Sequence, residues 1–343
     1  MKVSILKQLK DWKYTDIPTP KKIGKNKAIV KISLSGICST DVLRSMKTGF
    51  YSYPVVPGHE MIGTIDKIAI NNSLKKGDRV AVYPLISCGK CIHCKKNNPN
   101  LCDNYDFLGS RSNGGYAEYV LSPIKNLIKI PSRVSNEKAV FTEPLSVALH
   151  AFRVAEKMFK PKRILILGLG PIGLLIALWA KYKKINFVVG VDRNKNRFKI
   201  FNQIGYKKYV DTSKNNYEKK IKLYNKFDTV FECSGSAKLQ IVGINNTEKK
   251  GQVIILSNPN ENLLLEKDAY SKILRHEINF RGSWSSLIEP YNEWKKTLSI
   301  MNAKKIDPSI LISNYISIQE LPIKIKEMYY KKFPFIKVVT KAF

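Results

Sequence analysis

Six residues, Gly168-Leu169-Gly170-Pro171-Ile172-Gly173, leave the middle of this chain very little freedom. They follow a continuous apolar run, Arg163 to Leu167, that reads as a buried strand, and they open an apolar helix from Ile172 to Tyr182. In that strand-to-helix context Gly168 permits a tight turn, Gly170 lets a pyrophosphate approach the backbone, and Gly173 lets helix pack on strand. Pro171 and Ile172 lie at the helix N-terminus, whose N–H groups and partial positive charge suit a diphosphate. A second strand, 186–191, ends in Asp192 about 20 residues on, where a carboxylate accepts ribose hydroxyls and repels a 2′-phosphate. NAD is therefore expected over NADP. Arg193 and Arg197 are the groups that would hold a 2′-phosphate instead. Further strands at 208–210, 227–232, 251–256 and 278–282 alternate with helical segments, which predicts an α/β, doubly wound parallel sheet. Cys233, among small residues after the strand at 227–232, reads as packing.

A length of 343 residues implies about two domains. The balance of 59 Lys+Arg against 27 Asp+Glu gives a net charge of +32, which attracts anions of any kind. The lysines are scattered rather than blocked and accompany abundant Asn and Ile. AT-rich coding explains that better than a nucleic-acid surface, and no specific nucleic-acid partner is expected. The first residues, Met1 to Lys7, carry no apolar segment with a cleavage site. The longest uncharged stretch, 164–180, is interrupted by the glycine loop. A cytoplasmic protein without a membrane partner is expected.

Four of the six cysteines read C-x2-C-x2-C-x7-C: Cys88, Cys91, Cys94 and Cys102. Thiols spaced by two residues pair poorly with one another but fold readily around one tetrahedral ion. Zinc held by four thiolates fits, in a closed structural site. Nucleic-acid-binding zinc ribbons usually carry two C-x2-C knuckles separated by a longer insert, which is not this spacing.

A different pattern precedes it: Cys38 in Gly36-Ile37-Cys38-Ser39-Thr40-Asp41, then Gly58-His59-Glu60. One thiolate and one imidazole need a third ligand, and three protein ligands leave a fourth position open, as in catalytic zinc sites. Glu143, fixed in direction by Pro144, is the favoured third ligand, with Glu60 as its competitor.

These motifs, together with Gly77-Asp78-Arg79-Val80, occur in the order found in the zinc-dependent medium-chain dehydrogenases, which this chain resembles along its whole length. Glu143-Pro144, where alcohol dehydrogenases usually carry a cysteine ligand, resembles the polyol and threonine dehydrogenase branch. Tyr105 to Arg111 with Gly114 to Tyr119, Lys272 to Arg275, Gly282-Ser283-Trp284 and Glu293-Trp294 resemble members that act on phosphorylated hexitols. The resemblance implies a Rossmann NAD-binding domain, 151–287, and a mostly-β GroES-like zinc catalytic domain that is discontinuous, 1–150 and 288–343. It implies two zinc ions per chain, one catalytic and one structural. A homo-oligomer, dimer or tetramer, is implied as well. The cleft between the domains would set zinc opposite the nicotinamide.

The implied reaction is oxidation of a secondary alcohol to a ketone, with galactitol 1-phosphate giving tagatose 6-phosphate. The alternative substrates are unphosphorylated: sorbitol or L-iditol, and 2,3-butanediol. Thr40 matches the hydroxyl that lies beside the substrate oxygen in the family. Asp41 fits a partner that orients His59, and Glu60 either a transient ligand or a proton acceptor. Arg111, among small residues, is suited to grip a phosphate. Trp284 is the candidate pocket wall.

Overall fold

The computed structural model describes every residue except 22, 71, 72, 260 and 343. The chain divides into two compact units, Met1–Glu143 with Leu287–Phe343, and Pro144–Ser286. The first break was expected at 150/151. It falls instead near the start of the helix Thr142–Glu156, because that helix is packed within the second unit almost from its first turn. Trp179 Nε1 donates to the Leu145 carbonyl at 2.8 Å, and the Phe152 and Phe231 rings lie 4.9 Å apart.

The second unit is an α/β fold around a six-stranded parallel sheet. Its strands run in the order Lys208–Asp211, Phe187–Asp192, Arg163–Leu167, Phe227–Glu232, Thr247–Ile255, Asn279–Gly282. The order reverses at Arg163–Leu167, the strand that feeds the glycine loop, which is where doubly wound sheets bind ligands. The central strand Arg163–Leu167 is apolar after its first residue, as a strand covered on both faces requires, while its neighbour Phe227–Glu232 buries Asp228, Thr229 and Glu232 among its apolar residues. Ile164 to Leu167 and Val230 are wholly buried, and Val189, Val191, Val242 and Val253 pack in the same core.

The first unit is mostly β. A seven-stranded sheet contains Ile312–Ser317, Lys337–Lys341, Lys27–Gly36, Glu60–Ile68, Arg79–Val82 and Leu127–Lys129 in that order, with Tyr119–Pro123 also paired to Lys27–Gly36. The closing strand Lys337–Lys341 pairs antiparallel with Lys27–Gly36, so the end of the chain is built into this unit. Val30, Ile32, Met61, Ile65, Val80 and Val82 form the core beneath the sheet. No helix among the described residues is long and apolar enough to cross a membrane.

Candidate metal and nucleotide sites

The four predicted thiols of the cysteine lobe converge. Cys88, Cys91, Cys94 and Cys102 sit on a loop held by the short helices Ile92–Lys95 and Pro99–Leu101, with all four Sγ atoms within 4.8 Å of one another. Cys91 Sγ and Cys102 Sγ are 3.9 Å apart, too far for a disulfide. That distance is close to the edge of about 3.8 Å that a tetrahedron with 2.3 Å Zn–S bonds requires. Backbone N–H groups of Lys90 and Cys91 draw Cys88 down to about 6, whereas burial pushes Cys94 up to about 12. A thiol held that high becomes a thiolate at neutral pH only beside a cation, and the donor set fits zinc.

The second group lies where two strands of the large sheet meet. Cys38 follows the strand Lys27–Gly36, and His59 precedes the strand Glu60–Ile68. Gly36 and Glu60 are direct partners in that ladder. A Cβ at Gly36 would lie 2.1 Å from Glu60 Oε2, so the missing side chain there makes room for the carboxylate. Cys38 Sγ, a His59 ring nitrogen and a Glu60 oxygen all fall within 4.8 Å of one another. Glu143 does not join that group, although its carboxylate feels the same charges. Burial raises it to about 7, His59 pulls it down and Glu60 pushes it up. The preference for Glu143 over Glu60 as third donor is thus not what the geometry shows, since the strand register brings Glu60 alongside Cys38.

Two other predicted residues, Asp41 and Thr40, lie beside these donors. Asp41 is 1% exposed, and its Oδ1 lies 3.2 Å from His59 Nδ1, leaving Nε2 as the nitrogen available to a metal. Burial opposes the charge on Asp41, but His59, Tyr116 and the Cys38 N–H together hold it below the usual carboxylate value. Thr40 Oγ1 donates to Cys38 Sγ at 3.1 Å. One thiolate, one imidazole and one carboxylate with a free corner fit a catalytic zinc.

Two residues of this centre were not singled out from sequence. Lys337 is fully buried, pairs with Glu60 and donates to the Ile37 carbonyl at 3.1 Å. A lysine inside the buried closing strand is the signal for it, but among 59 basic residues one more does not stand out. Tyr116, 0% exposed, places its Oη 2.7 Å from Asp41 Oδ2.

Arg111 is exposed on a loop laid directly on the His59 segment. Gly114 N donates to Val56 O at 2.7 Å and Gly115 N to Gly58 O at 2.8 Å. A Cβ at Gly109 or Gly114 would come within 2.3 or 2.1 Å of the Gly58 oxygen, so only glycines allow this approach. The guanidinium lies over the rings of Tyr51 and Tyr105, at 4.1 and 4.3 Å, and no described carboxylate pairs with it. Phe107 continues the row, 6.4 Å from Tyr105 and 5.7 Å edge-on to His59. Trp284 belongs to the second unit and is 44% exposed, while the metal donors belong to the first.

The glycine loop has the expected form. Gly168 turns with φ +90°, and a Cβ at Gly173 would strike the Gly168 oxygen at 2.0 Å. A Cβ at Gly170 would meet nothing within 4 Å, so the protein leaves the space above it open. Pro171 and Ile172 start the helix Pro171–Tyr182, whose N-cap makes no side-chain hydrogen bond, and a dinucleotide phosphate fits such a cradle. Asp192 differs from expectation. It is 5% exposed and accepts from Arg193 N, Asn194 N, Leu169 N and Arg197 Nη1 at 2.8–3.0 Å, so its lone pairs are already used to tie down the loop. A ribose hydroxyl would have to take the place of one of these donors, while Arg193 remains exposed beside it.

Known proteins resemble this chain over most of its length. Residues 24–132 match the alcohol dehydrogenase GroES-like domain, and residues 171–303 match the zinc-binding dehydrogenase family. The chain is 31% identical over 314 residues to sorbitol dehydrogenase of Halalkalibacterium halodurans, covering 88% of each chain. It is 28% identical over 311 residues to galactitol 1-phosphate 5-dehydrogenase of Escherichia coli K12, covering 89% of this chain and 90% of that one. The crystal structure of galactitol-1-phosphate dehydrogenase from E. coli superposes with a TM-score of 0.91 at 27% identity, covering 100% of both chains. The chain belongs to the zinc-dependent medium-chain alcohol and polyol dehydrogenases, oxidoreductases that work with zinc and a nicotinamide dinucleotide.

Proposed function

We propose that the protein oxidises a secondary alcohol of a sugar alcohol phosphate to the ketone with NAD, the substrate being galactitol 1-phosphate and the product tagatose 6-phosphate. Cys38, His59 and a carboxylate, Glu60 or Glu143, hold the catalytic zinc, and Cys88, Cys91, Cys94 and Cys102 the structural one. When bound, zinc supplies Lewis acidity toward the alcohol oxygen and NAD supplies the hydride acceptor. The chain's own work is positional and protolytic. Asp41 fixes the His59 ring. The Thr40 hydroxyl, beside Cys38, would accept the alcohol proton and release its own to bulk water, so that the alcohol carbon can give its hydride to the nicotinamide. The backbone at Gly168, Gly170, Pro171, Ile172 and Gly173 cradles the diphosphate. A reducing cytoplasm suits six cysteines of which none is in a disulfide.

One observation carries the phosphorylated substrate: Arg111 is stacked between two tyrosines with no acidic partner among the described residues, on a loop fastened to the His59 segment. A guanidinium oriented by rings and left uncompensated by carboxylate is ready for a phosphate dianion. The sorbitol dehydrogenase relative, at 31% identity, favours a second reading in which the substrate is an unphosphorylated polyol. An NAD-linked panel of galactitol 1-phosphate, sorbitol and 2,3-butanediol separates them. The highest kcat/KM is expected for galactitol 1-phosphate. A higher value for either neutral substrate overturns the phosphorylated assignment.

A further inference from the structure

We infer that Tyr116 is a positioning residue for the catalytic metal, acting on His59 through Asp41, an inference that rests on the zinc reading above. The Tyr116 phenol has one proton and two acceptors within reach, Asp41 Oδ2 at 2.7 Å and the Gly36 carbonyl at 3.4 Å. The shorter contact to a charged acceptor is the one that forms. Asp41, three residues after Cys38, then has its two oxygens divided between Tyr116 and His59 Nδ1, the latter at 3.2 Å. A single buried carboxylate thereby spans both metal-donor segments, and Tyr116 supplies the remaining donor that sets its rotation.

The ring of Tyr116 is held in place independently of its hydroxyl. Its N–H donates to Pro57 O at 3.0 Å, and the ring lies where any Cβ on Gly58 would be 2.6 Å away. Trp12 packs on it with centroids 6.4 Å apart. Tyr116→Phe therefore keeps the packing and removes only the donor. Asp41 Oδ2, buried, then lacks its partner, and the carboxylate is free to turn away from the orientation that aims the imidazole.

The test is competition for zinc by EDTA in the zinc-loaded protein, read by metal analysis, with the four-cysteine zinc as internal control. Cys38→Ser identifies which zinc belongs to the catalytic site. Partners of metal-ligating histidines change metal affinity by about 10–100-fold, so Asp41→Asn is expected in that range and Tyr116→Phe, one bond further out, at about 3–10-fold. In the Asp41→Asn background, Tyr116→Phe is expected to add nothing. A Tyr116→Phe curve that coincides with the wild type overturns the inference. So does an undiminished effect in the Asp41→Asn background, which makes the residue merely a packing element. If Cys38→Ser releases no zinc, the zinc reading itself fails, and this inference with it.

Discussion

The ammonium of Lys337, near the end of the chain, is buried against the carboxylate of Glu60, with only 2% of either side chain exposed. Burial works against the charge on Lys337, but Glu60 and Cys38 outweigh it and hold the ammonium above its usual value. Removing one member of a buried pair strands the other, at about 3–5 kcal/mol. Lys337→Met is therefore expected to lower the unfolding free energy of the metal-free protein by that amount. Adding Glu60→Gln should restore most of it, because the neutral amide needs no cation. Urea denaturation of both variants measures this, and a single-variant loss below about 1 kcal/mol would discount the pair.

The two metal groups predict separable losses. Cys91→Ser is expected to remove the structural zinc and lower Tm, because a closed thiolate site contributes folding energy directly. Cys38→Ser is expected to remove the other zinc and the activity while leaving Tm within a few degrees. Metal analysis beside thermal melting decides. Equal loss of Tm in both variants would contradict the division of roles.

Arg111→Ala tests the anion grip. A hydrogen bond to a charged group contributes about 1.5–3 kcal/mol, which corresponds to about a 10–150-fold rise in KM for galactitol 1-phosphate. Sorbitol, which lacks the phosphate, should change by less than about twofold on the same reasoning. Steady-state kinetics on the two substrates provides the comparison, and parallel losses would remove Arg111 from the substrate site.

Two glycines of the nucleotide loop should respond in opposite ways. A side chain at Gly170 meets no protein atom within 4 Å, and its φ of −64° suits any residue. Gly170→Val should therefore leave Tm near wild type and raise KM for NAD by about tenfold or more, by filling the space a pyrophosphate needs. Gly173→Ala drives a Cβ to 2.0 Å from the Gly168 oxygen, so it should lower Tm as well. NADH fluorescence titration and melting curves distinguish them. A Gly170→Val protein with unchanged NADH affinity would place the dinucleotide elsewhere.

Sequence alone determined whatever is encoded by neighbours along the chain. The strand Arg163–Leu167, the glycine turn and the helix Pro171–Tyr182 form one local unit in which each glycine answers a backbone demand. Cys88 to Cys102 close around one point because short turns bring them together. Tertiary structure decided the choices among like groups. Glu60 comes within 4.8 Å of Cys38 and His59 at a point where Gly36, its partner across the sheet, has no side chain to occupy the space. Lys337 reaches the same point only because the closing strand pairs with Lys27–Gly36. Asp192 was legible as a carboxylate at a strand end, but not that Leu169, Arg193, Asn194 and Arg197 already donate to both its oxygens. Such outcomes follow from register and from side-chain competition in three dimensions, and neither leaves a periodic trace in the order of residues.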